Sequence, residues 1–167
     1  MAREPKIALA GRSGSGKTAV AEYLVDKYGY TRCSTGAACR SLCKEFFGTD
    51  AKAILNKVTD ALRAVDKDVW LRAAFAYVQV GRPIVFDSMR FANDYAFLRG
   101  QGFVMWRIDA PLSIRLTRME NRGQLVTAED DEHAAETELD GFAFDRSLDN
   151  SAEGLESLYI KVENGLR

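Results

Sequence analysis

GRSGSGKT, residues Gly11 to Thr18, satisfies the spacing G-x-x-x-x-G-K-[ST] at every fixed position. It follows the apolar run KIALA, which reads as a buried strand. Behind it Val20, Leu24 and Tyr28 recur at helical spacing, with Ala21 and Val25 widening the stripe. A strand, a glycine-rich loop and an amphipathic helix in that order make an anion cradle. The glycines let backbone N–H groups turn inward, and the helix N-terminus adds partial positive charge. Gly11, Ser13, Gly14, Ser15 and Gly16 would line the cradle. Lys17 would bridge the β- and γ-phosphates of a nucleoside triphosphate, and the Thr18 hydroxyl would complete the coordination of Mg²⁺.

Outward from the cradle the chain alternates. After Gly29, YTRCS is a second short strand, and a helix spans about Thr35 to Phe47. Two helical stretches follow, 50–65 with Ile54, Val58, Leu62 and Val65, and 68–80 with Val69, Ala73, Ala76 and Val80. IVF (84–86) is a buried strand that runs into Asp87. A helix at about 93–99, the strand FVMWRI (103–108) and a helix from Pro111 to about Asn121 come next. Residues 123–132 are polar and acidic and read as a loop. A short helix, a last strand near FDRSLDN and a helix from about Ala152 to Asn164 complete the chain. The pattern predicts a single α/β domain, with five mostly parallel strands and helices on both faces.

Composition sets bounds on partners. The chain has 167 residues, a net charge of −1 and 47% hydrophobic residues, as ordinary globular domains do. Nothing in it demands nucleic acid or a membrane as partner. MAREPKIALAG has too short an apolar run for a signal peptide, and no stretch approaches about 18 apolar residues. A cytoplasmic monomer or homodimer is expected. Cys33, Cys39 and Cys43 lack CxxC spacing; Cys39 and Cys43 lie one helical turn apart, as metal ligands can, but with the single histidine far away in sequence the three read as reduced structural thiols.

The switch and motor classes do not fit. Asn56-Lys57-Val58-Thr59 lacks the acid of a guanine-reading Asn-Lys-x-Asp, and FDSMRF lacks the Asp-x-x-Gly of a γ-phosphate switch. What stands at the strand ends, where open α/β sheets bind ligands, is arginine. STGAACR (34–40) carries Arg40, FDSMR (86–90) carries Arg90, and IRLTRMENR (114–122) puts Arg115, Arg118 and Arg122 on one helical face.

STGAACR resembles the S-T-G-x-x-x-R of adenylate-kinase-like nucleoside monophosphate kinases of the P-loop class. ALRAVDKDVWLRAAFAYV, VFDSMRFANDYAFLRGQG and HAAETELDGFAFDRSLDN are similar to bacteriophage deoxynucleoside monophosphate kinases. The resemblance covers the P-loop to about residue 150. It implies a three-layer P-loop fold with a helical acceptor-binding insert over about 35–80 and a short lid over about 122–133. It also implies ATP and Mg²⁺ as cofactors and a (deoxy)nucleoside monophosphate as substrate. Arg40 and Arg90 would hold the acceptor phosphate, and Thr35 would line its site. Asp87 would order the Mg²⁺ shell or the substrate. Arg118 would lie against the adenine and Arg122 would reach the transferring phosphoryl group. Ala37 and Ala38 replace the bulkier acidic and apolar residues of the adenylate kinase version, so the resemblance does not imply specificity for AMP.

Other residues carry two readings. Trp70 is either a stacking platform for the acceptor base or a core side chain. Arg63 is a candidate third ligand of the acceptor phosphate. His133 reads as lid packing, and Asp130, Asp131 and Glu132 as a solvated loop from which one acid can pair with a lid arginine. A phosphomevalonate- or dephospho-coenzyme-A-kinase-like enzyme and a nucleotide-binding module without turnover are the alternative functions.

Overall fold

A computed structural model describes residues 5–76, 78, 81–123, 131–132 and 134–167. The chain divides into two compact units, one formed by the residues up to Arg32 together with Pro83–Arg167, the other by Cys33–Arg82.

The first unit carries the sheet. Its strands are β1 (Lys6–Ala10), β2 (Thr31–Cys33, whose last residue opens the second unit), β3 (Ile84–Phe86), β4 (Phe103–Asp109) and β5 (Arg146–Asp149), in the order β2-β3-β1-β4-β5. β1 pairs in parallel with β3 and β4, and β4 with β5. Ile7 stands opposite Val85 on one side and Val104 on the other. Four of the five β1 residues are buried, as a central strand covered on both faces requires. One face is fixed by alternation. Ile7, Leu9, Val85, Trp106, Ile108 and Leu148 pack with Val20, Ala21 and Leu24 of α1 (Lys17–Tyr28). Leu158 and Val162 of the C-terminal helix join the same cluster. That helix approaches so closely that a Cβ at Gly165 would lie 2.8 Å from the Trp106 ring. Ala8, Ala10, Phe103 and Met105 occupy the alternate positions and are equally buried.

The second unit is helical: α2 (Thr35–Phe47), α3 (Lys52–Val65) and α4 (Val69–Ala76). Ser34 caps α2 by accepting from the Ala37 N–H at 3.4 Å, and Gly48 ends it at φ 68°. Cys39, Cys43 and Trp70 form its core, with Ile54, Leu55, Val58 and Leu62 packed against them. The described part of α4 ends at Ala76, and Val80 lies outside the described residues.

In the first unit α5 (Ala92–Gly100), α6 (Leu112–Glu120), the one-turn α7 (Ala134–Thr137) and α8 (Glu156–Leu166) complete the order. α8 begins four residues later than the periodicity suggests, because residues 152–155 form a bend around Gly154, at φ 75°.

Candidate active site: a phosphate cradle at the strand ends

The cradle starts where β1 stops. Gly11 takes φ 141°, and a Cβ there would fall 2.2 Å from the Ile108 carbonyl oxygen, so a side chain is excluded on both counts. Gly16 is equally constrained, since a Cβ would meet Asn150 Nδ2 at 2.4 Å. Asn150, buried just beyond β5, donates that amide to the Ser15 carbonyl at 2.8 Å. Arg118 on α6 donates to the Gly14 carbonyl at 3.4 Å and to the Asn150 carbonyl at 3.0 Å. The loop is thus gripped from the end of β5 and from α6. Burial and the neighbouring Arg122 push the Arg118 guanidinium below the usual arginine range.

Lys17 folds its ammonium onto the loop, donating to the Gly11 carbonyl and, at 3.1 Å, to the Arg12 carbonyl. Desolvation, reinforced by Arg90, lowers its pKa to about 8, although Glu136 and Asp87 pull the other way. Ser15 Oγ is buried and has no hydrogen-bond partner among the described residues.

Asp87 stands just past β3. Arg32 of β2 binds its Oδ2 through Nε at 2.7 Å and Nη2 at 2.5 Å. Oδ1 is buried and has no hydrogen-bond partner among the described residues. A buried carboxylate oxygen without a donor is costly unless a cation or water meets it. Together with the exposed Thr18 hydroxyl it suits Mg²⁺, which takes a few protein oxygens and completes its shell from substrate phosphates. Among the described residues no group of three or more His, Cys, Asp or Glu could hold a metal ion by itself.

Around the cradle the charges pair across long stretches of sequence. Glu136 accepts the Ser13 N–H at 2.6 Å, the Ser13 hydroxyl at 2.9 Å and the Arg90 guanidinium. Asp131 accepts from Arg12 and Arg115, each at 2.8 Å. Asp140 joins Arg12 at 2.6 Å to Arg107. Arg115, against the pull of desolvation and with help from Arg12, lowers the Asp131 carboxyl to about 2. Asp131 is therefore no part of a solvated loop. It is 3% exposed because two arginines supply the hydrogen bonds that water would otherwise provide. Glu132 is exposed as expected. Asp130 and His133 lie outside the described residues, as do 124–130 of the expected lid. Arg122 is exposed in the turn that follows α6.

In the helical unit, Thr35 opens α2 and Arg40 is exposed on the same helix. Arg63 is half-buried near the end of α3. Trp70 is the correction. It is 5% exposed, packed on Cys39 and Cys43, and donates its Nε1–H to the Thr59 carbonyl at 3.4 Å. A ring enclosed in this way has no open face for a base, so the core reading holds.

The structure therefore joins Lys17, Arg118 and, through Glu136, Arg90 to one cradle. Asp131 was named as one of the loop acids able to pair with an arginine, whereas Arg32, Glu136 and Asn150 were not singled out from sequence. Only Asn150, which closes FDRSLDN at a strand end, and Glu136, inside HAAETELD, stood in stretches that drew attention.

A parallel sheet with this cradle at its strand ends defines a P-loop protein with the kinase fold. The model of the family described as "AAA domain" matches residues 7–138, and the chain belongs to that family. It is 25% identical over 194 residues to a protein of Acanthamoeba polyphaga mimivirus, with 93% of each chain covered. That protein is named "Putative deoxynucleotide monophosphate kinase". Among solved structures, a gluconokinase from Sinorhizobium meliloti superposes with a TM-score of 0.61 at 22% identity, covering 99% of this chain and 93% of that one. A shikimate kinase from Acinetobacter baumannii, in complex with shikimate, gives 0.61 at 17% identity, covering 98% and 96%. These two likenesses are of fold. No helix among the described residues is long and apolar enough to cross a membrane.

Proposed function

We propose that the protein transfers the γ-phosphoryl group of ATP to a (deoxy)nucleoside monophosphate, giving ADP and the diphosphate. The observation that carries this is the Glu136 carboxylate, which takes donors from both Ser13 and Arg90. A loop amide and a strand-end arginine that share one anion belong to adjoining anion positions, as donor and acceptor phosphates require. The mimivirus relative's name supports the choice of acceptor.

The chemistry needs little beyond charge and position. A monophosphate is largely dianionic at neutral pH, its second pKa being about 6, so its oxygen attacks the γ-phosphorus without a general base. As that bond forms, the bond to the ADP oxygen breaks. Lys17 and the cradle amides hold the β- and γ-phosphates in place, and Arg118 keeps the cradle in shape. Arg90 receives the acceptor phosphate, and Arg122 serves the phosphoryl group in transit. Thr18 and Asp87 would hold Mg²⁺, which supplies further neutralisation of charge. Arg32 fixes one Asp87 oxygen so that the other stays presented. Thr35, Arg40 and Arg63 of the helical unit are assigned to the acceptor.

The test is ADP release over a panel of ribo- and deoxyribonucleoside monophosphates with phosphomevalonate and dephospho-coenzyme A. Turnover is expected with at least one nucleoside monophosphate. Arg90→Ala should then raise the acceptor KM or lower kcat about 10- to 150-fold with ATP affinity unchanged. Turnover confined to the non-nucleotide phosphates, or none at all, overturns the reading.

A further inference from the structure

Transfer to a phosphate leaves Glu136 without a task, since the attack needs no base. Its placement is nevertheless specific. Oε2 accepts the Ser13 N–H and Oε1 accepts both the Ser13 hydroxyl and Arg90. A loop amide, a hydroxyl and a guanidinium are the donors that a phosphate oxygen would seek. The carboxylate is 10% exposed and within electrostatic reach of Lys17. Burial works against its charge, yet Arg90 and Ser13 outweigh that and hold the carboxyl below its ordinary range. The chain that presents it is anchored on both sides of α7. Arg12 and Arg115 grip Asp131 before it, while Arg12 and Arg107 grip Asp140 after it. Glu136 is therefore delivered to the cradle by a fixed ionic frame.

We propose that Glu136 is a specificity residue that acts as an internal anion: it occupies Ser13 and Arg90 until a phosphate dianion displaces it, and so rejects acceptors that lack that charge. This rests on the phosphate-acceptor reading above. A carboxylate brings one negative charge and two oxygens. A phosphate dianion brings more of both and wins the exchange, whereas water or a neutral hydroxyl brings neither. While Glu136 holds the Ser13 N–H, that cradle amide is not available to charge developing on the phosphoryl group. Hydrolysis, in which water oxygen bonds to the γ-phosphorus, the bond to ADP breaks and the proton leaves to solvent, is suppressed for that reason.

The full chain carrying Glu136→Gln or Glu136→Asp tests this, with inorganic phosphate as the probe in calorimetry and ADP release from ATP without acceptor as the second readout. Removing an internal competitor raises apparent affinity by the fraction of protein it had blocked. Glu136→Gln should bind inorganic phosphate about tenfold more tightly and hydrolyse ATP about tenfold faster than the wild type, by that argument. Glu136→Asp, shorter by one methylene, should fall between them, and it decides the matter by the same criteria if the glutamine variant does not fold. Phosphate binding that is unchanged or weaker in a folded variant overturns the proposal, because Glu136 would then support Arg90 rather than compete for it. Phosphate affinity is read without nucleotide or acceptor, so it judges Glu136 even if no monophosphate is turned over.

Discussion

In the sheet-bearing unit, Ile7, Leu9, Trp106 and Ile108 fill a continuous core, while Arg12, Arg115, Arg107, Asp131 and Asp140 form an ionic frame around the cradle. The helical unit is built otherwise. It closes on Cys39, Cys43 and Trp70 with partly buried neighbours, and its described ion pairs, Lys44 with Asp50 and Arg72 with Asp66, lie at the surface. In the first unit Arg115 and Asp131 are buried beside the cradle, whereas Lys27 with Glu163, Arg99 with Asp145 and Lys161 with Asp149 pair nearer the surface. Charge in the second is carried on its helices, with Arg40 exposed on α2 and Arg63 half-buried near the end of α3. On the function proposed above, the first unit would hold the chemistry and the second would tune the choice of acceptor.

The sharpest way to break that contrast is Lys17→Ala. It should lower turnover about 10³-fold or more, as loss of a cation at the transferring phosphates does, with circular dichroism unchanged. ADP release within a few-fold of the wild type would mean that the first unit does not hold the chemistry.

Asp131→Asn tests whether the ionic frame supports the fold. Arg115, with 5% of its side chain exposed, would keep its charge without a partner, a loss of about 3–5 kcal/mol for a buried pair. Urea denaturation would measure it. The wild-type carboxyl titrates at about 2, below its ordinary 3.8. Its contribution is therefore complete above about pH 4 and lost as pH falls towards 2. The variant should lack that part of the acid dependence.

Trp70→Ala probes the other unit. Removing a buried indole costs about 3–5 kcal/mol, so the melting temperature should fall while ATP affinity in the surviving folded protein stays the same. An unchanged melting temperature with a raised acceptor KM would restore the stacking role.

The smallest expected effect is one of pH. Free Lys17 loses its proton at about 8, and bound triphosphate favours the protonated form. ATP affinity should be flat below pH 7 and about tenfold weaker at pH 9, proton uptake accompanying binding in between. Calorimetry in buffers of different ionisation enthalpy would count the protons.

Much of the sheet was legible because β1, β3 and β4 are short apolar runs ended by glycine, proline or a charge, and the cradle was legible because its spacing is tight. KIALA and IVF occupy Lys6–Ala10 and Ile84–Phe86 as the runs suggest. The ionic partnerships were not legible. Arg12 meets Asp131 across 119 positions, and Arg32 meets Asp87 across 55, distances over which no periodicity speaks. Trp70 kept two readings for a different reason, since an aromatic on an apolar stripe looks the same in sequence whether its face is open or covered. Arg118 was assigned to adenine by resemblance, but in this structure its guanidinium binds the Gly14 and Asn150 carbonyls.

The place of β1 between β3 and β4 has a consequence for biosynthesis. The cradle leaves the ribosome before the strands that flank it, and β1 finds its neighbours only when residues near 85 and 104 arrive. Asn150, whose amide holds the Ser15 carbonyl, comes later still. Contacts so distant in sequence are slow to form because a long loop must close before they repay its entropy. A nascent chain therefore carries the whole motif long before its loop is held, and the Asn150 contact forms only when β5 docks.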